Sequence, residues 1–336
     1  MPHNLYCALD AGTVSTCMLC ATRDEGGHVH ALLRQARVTD LGEGVDASGR
    51  LLPQAIGRTV DCVADYLAQA RELAERTDAR LVAALTATSA ARDAANSDEL
   101  LAPLAQMGLS PQVIAGTDEA ALGLLGVTGD FGADTVCACD IGGGSTELSS
   151  GHRDGQGRLV QLGGVSLNIG ARRICERFLA CAPDEAPSAG AVAEARAHVR
   201  AAFDAWAHQQ AELPQTLACV GGTATTLVSI LCELEPYDSD FVHLRRTGAD
   251  ELAALTQRLC SMSTRQRAAL KGLQPKRAHV IHAGALILDE LLSAGGWDGF
   301  TTSESNSLFG VVECLDAQER GGTSPLALHL QAQMLR

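Results

Sequence analysis

One pattern occurs twice in this chain and restricts its fold more than any other: a short apolar run ends on an aspartate, a glycine-bearing turn follows, and a second extended run returns. The first copy runs from Tyr6–Leu9 through Asp10-Ala11-Gly12-Thr13 into Val14–Thr22. The second runs from Thr135–Cys139 through Asp140-Ile141-Gly142-Gly143-Gly144-Ser145 into Thr146–Ser149. Such runs on either side of a tight turn predict two β-hairpins, and their recurrence marks an internal repeat. A third apolar strand, Leu217–Val220, ends on Gly221-Gly222-Thr223. Further strands are expected at 28–38, 80–86 and 112–114, and helices at 51–74, 96–107, 117–125, 191–206, 251–259, 276–292 and 308–315. Asn96 with Glu99 reads as a capping box, and Thr117 as the cap of its helix. The halves should divide near 126–132, and the segment after Arg320 reads as a loosely docked tail.

The three turns carry the chemistry. Glycines let backbone N–H groups approach phosphate oxygens with no Cβ in the way, and the hydroxyls of Thr13, Ser145 and Thr223 add donors. Asp10 and Asp140, at strand ends, are suited to hold magnesium directly or through water. A single turn of this kind reads as an ordinary hairpin. Three together, two of them preceded by aspartate, point to a phosphate site.

Composition limits the partners. The formal net charge of −14 repels nucleic acid and anionic membranes, so neither is expected as a partner. A polyanionic substrate would need a local basic patch and magnesium against that field. No run reaches the eighteen or so apolar residues of a membrane span. Met1–Leu9 lacks the basic and apolar regions of a leader, which reads as cytoplasmic. Most of the twelve cysteines lie in apolar runs and read as reduced core residues. Cys17 and Cys20 form a C-x-x-C inside a strand, and His28 and His30 are wrongly spaced for a zinc module.

Several ordered blocks resemble the exopolyphosphatase/guanosine pentaphosphate phosphohydrolase (Ppx/GppA) family along nearly the whole chain. Asp140–Leu148 (DIGGGSTEL) is similar to its second phosphate loop, Ala87–Asn96 (ATSAARDAAN) to its ATSAxRxAxN block, and Ala115–Val127 (AGTDEAALGLLGV) to SGxEEAxLxxxGV. Leu41–Gly49, Ser166–Leu179, Val220–Thr226 and Arg277–Leu292 follow in the same order. The resemblance implies two ribonuclease-H-like (actin-like) α/β domains about a central cleft. They would span 1–127 and 128–304, with a final helix near 305–318 packing back on the first and a tail at 319–336. It implies hydrolysis of terminal phosphate from polyphosphate or guanosine penta/tetraphosphate, Mg2+ or Mn2+ as cofactor, and a homodimer.

The same resemblance makes Glu119 the general base. A carboxylate within reach of an in-line water can orient and deprotonate it; the plainer reading is a solvated carboxylate in a first helical turn. Glu147 would share the water or the metal with Asp10 and Asp140, or be an ordinary cross-strand charge. Arg92 offers a planar fork for phosphate, or an ion pair with Asp93 or another acid. Arg173 and Arg277 match basic positions and read as secondary substrate contacts or surface pairs. Val14 stands where the family carries a polar amide, Cys17–Cys20 where an arginine is usual, with Arg23 as its candidate replacement. Ser303–Gly310 replaces an arginine-bearing approach to the last helix. Two rival readings remain at this level: a sugar- or acetate-kinase-like phosphotransferase, and a non-catalytic (p)ppGpp or polyphosphate sensor.

Overall fold

The first hairpin forms as its sequence pattern requires. β1 (Asn4–Ala11) and β2 (Ser15–Arg23) pair antiparallel with Asp10 opposite Cys17, and the turn closes with Gly12 N–H donating to Ser15 C=O at 3.1 Å. β3 (Val29–Val38) extends the hairpin, while β4 (Arg80–Ala87) runs parallel beside β1 and is flanked by β5 (Gln112–Val113). The computed structural model describes residues 4–24, 26–322 and 324–335.

β1 is apolar at every position from Leu5 to Leu9 because it is buried on both faces. Leu5, Cys7 and Leu9 meet the helix Pro53–Arg76 through Ile56, Val63 and Leu67. Tyr6 and Ala8 meet the helices Gly116–Phe131 and Ser307–Glu319. This is the signature of a central strand in a covered α/β sheet. Cys17 and Cys20, three apart on one strand, point to opposite faces and do not pair; all twelve cysteines are free.

The second half repeats the scheme. β6 (Val136–Ile141) and β7 (Thr146–Arg153) form a hairpin closed by Gly142 N–H to Ser145 C=O at 3.0 Å. β8 (Leu159–Leu167) extends it and β9 (Thr216–Val220) lies parallel beside β6. β10 (Arg246–Gly248) and β11 (Gly299–Thr302) complete a sheet ordered β10-β11-β9-β6-β7-β8. The helices Ala189–Ala207 and Ile281–Gly295 cover one face. The other is covered by the helix Gly116–Phe131, which sends Leu122 and Leu125 to the first core and Leu124 and Val127 to the second. One helix thus joins both halves.

Four local expectations are corrected. Asn96 does not cap a helix: its amide accepts from Leu51 N–H and donates to Leu51 C=O, while the helix starts at Asp98. Thr117 does not cap either, because its helix already begins at Gly116 after Ala115. The helix expected over 276–292 is a short 3-10 turn, Pro275–Arg277, followed by the helix Ile281–Gly295. The break turns Arg277 toward the cleft. The segment after Arg320 is not loosely docked: β12 (Gln333–Leu335) pairs antiparallel with β4, and Leu330 is buried.

Candidate active site

The two hairpin turns and the β9 turn converge between the sheets. Asp10, Gly12, Thr13, Glu119, Asp140, Gly142, Gly143, Gly144, Ser145, Gly221, Gly222, Thr223 and Arg277 line a single cavity of about 130 Å3. The first and second turns nearly touch: a Cβ added at Gly144 would sit 2.4 Å from Ser89 Oγ and 3.0 Å from Thr13 Oγ1. Only residues without a side chain permit that approach.

The second loop is held by its carbonyls. Ala171 N–H donates to Gly142 C=O at 2.9 Å, Arg172 and Arg173 N–H donate to Gly143 C=O at 2.9 and 3.1 Å, and Arg173 Nε donates to Gly144 C=O at 2.8 Å. With these oxygens engaged on one side, peptide planarity directs the N–H groups of the loop toward the other, where a phosphate would lie. The third loop opens the helix Gly221–Leu231, whose first turn has no side-chain cap. Its N–H groups and positive dipole end form a natural anion seat. Gly221 holds a φ of +76°, and its Cα packs so closely on Asp140 that a Cβ would lie 2.3 Å from Oδ1.

Register explains the acids. Asp140 faces Glu147 across β6–β7, and Glu147 faces Ser166 across β7–β8, where the Ser166 hydroxyl donates to the carboxylate at 2.7 Å. Asp10 lies opposite Thr86 of β4, whose hydroxyl donates to it at 3.2 Å. Glu119 projects from the first turn of its helix and receives Arg92 Nη1 at 2.7 Å. Burial and the charge of Glu119 push Asp10 up to about 8 and Asp140 up to about 7. Burial also raises Glu119, opposed by Arg92, and holds Glu147 well above the carboxylate range, aided by Glu119.

So much recessed negative charge is stable when a cation shares it. The oxygen-only donor pair of Asp10 and Asp140 suits a hard divalent ion. Among the described residues no three His, Cys, Asp or Glu side chains are placed to hold a metal ion between them. A bound Mg2+ would therefore fill its shell with waters and phosphate oxygens, as that ion prefers.

Several residues sit differently from expectation. Arg92 is not free over the phosphates; it pairs with Glu119 and donates to Ile114 C=O at 3.0 Å. Arg173 does not reach the cavity: besides Gly144 it pairs with Asp46 and Asp93 of the first half, so it clamps the second loop to the other domain. Glu147, beside Asp140 on the neighbouring strand, is not among the residues that line the cavity. The Thr223 hydroxyl donates to Ile141 C=O at 2.8 Å and ties the third loop to the second. Arg23 faces away from the cleft, toward Glu313 and Asp316, and does not replace the missing basic residue. Arg277 does reach the site: its guanidinium packs over Gly222 and donates to Ser15 Oγ at 3.1 Å. Val14 has a structural reason, an apolar contact with Ala171 and Val280 across the domain gap. Ser15, Ser89 and Ser166 went unassigned in the sequence. Only the hydroxyl of Ser15, next to the first turn, carried a local signal.

The sequence profile of the Ppx/GppA phosphatase family matches residues 21–306. The chain belongs to that family. It is 35% identical over 321 residues to exopolyphosphatase 2 of Mycobacterium tuberculosis, covering 91% of this chain and 96% of that one. It is 31% identical to a crystallised exopolyphosphatase-like protein, with a TM-score of 0.81 and coverage of 95% and 99%. The Aquifex aeolicus member of the Ppx/GppA family, 24% identical with a TM-score of 0.76 over 96% of this chain and all of that one, shares its fold. The two repeated sheets are the two actin-like domains of this family. Among the described residues no helix is long and apolar enough to cross a membrane.

Proposed function

We propose that this Ppx/GppA protein releases terminal orthophosphate from inorganic polyphosphate, with Glu119 as general base. The observation that carries the reading is the shared cavity: one recessed carboxylate, two aspartates and three turns rich in backbone N–H line the same space. The loops bind the terminal phosphate, and the first turn of the helix Gly221–Leu231 adds its dipole. Arg92 holds Glu119 in place and opposes the rise that burial imposes on its carboxyl. Glu119 orients a water and takes its proton as the water oxygen bonds to the terminal phosphorus. The bridging P–O bond breaks, and the shortened chain leaves as its oxyanion. Asp10 and Asp140, the two aspartates on the cavity wall, would hold Mg2+ or Mn2+, which when bound neutralises phosphate charge. The similarity to an exopolyphosphatase supports this substrate class.

Guanosine pentaphosphate is a second reading with its own support. The cavity continues past Gly221, Gly222 and Arg277 into a chamber of about 610 Å3 whose walls include Leu234, Tyr237, Leu273 and Phe309, surfaces suited to an organic body. Phosphate release from polyphosphate, pppGpp and ATP, measured in parallel with and without Mg2+, tests both. Ion-dependent release is expected from at least one of the first two. Release from none of the three overturns it.

A further inference from the structure

The chamber beyond the third loop receives whatever part of the substrate lies behind its terminal phosphate, since the two cavities share Cys17, Gly221, Gly222, Arg277, Asn306 and Leu308 as walls. Its charged lining is balanced: Arg34 and Arg277 against Glu235 and Glu304. A long phosphate chain carries negative charge at every unit and needs a basic conduit. Here one of the two cations is already engaged. Arg34 of β3 pairs with Glu304 at 3.3 Å and stacks on the Phe309 ring at 4.8 Å, while the Tyr237 hydroxyl donates to the same carboxylate. Arg34 comes from the first domain, and Tyr237 and Glu304 from the second half of the chain. The three meet on the chamber wall, with the carboxylate between the guanidinium and the hydroxyl. Glu304 is mostly shielded, with a side-chain exposure of 16%, so its charge is less screened than a surface carboxylate's.

Resting on the reading of the site as a phosphohydrolase, we propose that Glu304 is a specificity-determining residue that disfavours long phosphate chains. It acts in two ways: its charge repels phosphates that extend into the chamber, and its pairing withholds Arg34 from them. Rejection by a placed like charge is a direct route to specificity. The stretch Ser303–Gly310, which departs from the family's arginine-bearing pattern, thereby gains a role.

The test compares kcat/KM for tripolyphosphate and for long-chain polyphosphate in the wild type, Glu304→Gln and Glu304→Asp. The wild type is expected to favour the short substrate. Glu304→Gln, nearly isosteric, should raise the long-to-short ratio about tenfold, the effect of one poorly screened charge roughly 10 Å away. Glu304→Asp should keep the wild-type ratio, because the charge remains. Glu235→Gln, on the same wall but exposed, should move the ratio in the same direction by less. An unchanged ratio in Glu304→Gln, or a wild type that prefers long chains, overturns the proposal while leaving the hydrolase reading intact. Failure to cleave either substrate overturns both.

Discussion

Gly170→Ala probes the idea that the second loop's main chain is a phosphate cradle. Gly170 precedes the residues whose N–H groups hold the loop's carbonyls, and its backbone (φ −125°, ψ 158°) is one that alanine adopts freely. Only the added methyl matters. That Cβ would fall 2.3 Å from Gly143 O, 2.4 Å from Gly143 C and 2.4 Å from Gly144 C, against an ordinary contact of 3.4 Å or more. All three atoms are main chain, so no rotamer relieves the clash. The loop must move by about 1 Å, a displacement that costs on the order of 100-fold in rate when it shifts a reacting group. Overpacking of this kind also lowers stability by about 1–3 kcal/mol. Gly163→Ala, on β8 away from the cavity, is the control, since its Cβ would meet nothing within 4 Å. Phosphate release and thermal melts on both variants decide the matter. Gly170→Ala that folds and keeps wild-type kcat/KM would refute the cradle, as would equal losses in the two variants.

Two further outcomes follow from the structure. Arg173→Ala and Asp93→Asn should be non-additive in phosphate release, with a coupling of about 0.5–3 kcal/mol, because both break one clamp on Gly144; strictly additive kinetics in a double-mutant cycle would count against that clamp. Stability should also fall in acid on account of His282, which is buried with neither ring nitrogen partnered among the described residues. Burial lowers it from 6.5 to about 3. The unfolded chain therefore binds the extra proton between those values. The stabilisation is complete above pH 6.5 and is lost as pH falls toward 3, by up to about 5 kcal/mol. Denaturant melts of the wild type and His282→Leu across this range should show a shallower acid slope in the variant; equal slopes would contradict the assignment.

The three turns were legible in the sequence because their cause is local. Glycine and aspartate after an apolar strand dictate a turn and an acid at its start wherever the strand sits. The repeated strand pattern likewise announced two similar halves, and unbroken apolar residues in β1 announced burial on both faces. What the sequence concealed was the choice of partners. Nothing near Arg173 in the chain indicates that Asp46 and Asp93 lie beside it, nor does the Arg92 block indicate that its fork would be taken by Glu119. These pairs arise from packing one domain against the other. Thr223 is similar: its hydroxyl was legible as a donor, but its acceptor, Ile141 C=O, comes from a strand about eighty residues earlier. Val14 resembled a defect in a phosphate loop until Ala171 and Val280 supplied its apolar surroundings. β12 escaped notice because three residues carry too little alternation to mark a strand, and the exposed edge of β4 determines its place.

In the proposed reaction Glu119 acts on water after the glycine turns have bound the phosphate. Single-turnover hydrolysis and equilibrium binding of tripolyphosphate by Glu119→Gln test it most directly. The hydrolytic rate should fall about 100- to 10,000-fold, with the dissociation constant changed by no more than a few-fold. A Glu119→Gln variant that hydrolyses at the wild-type rate would contradict it, and so would one that loses binding and turnover in equal measure.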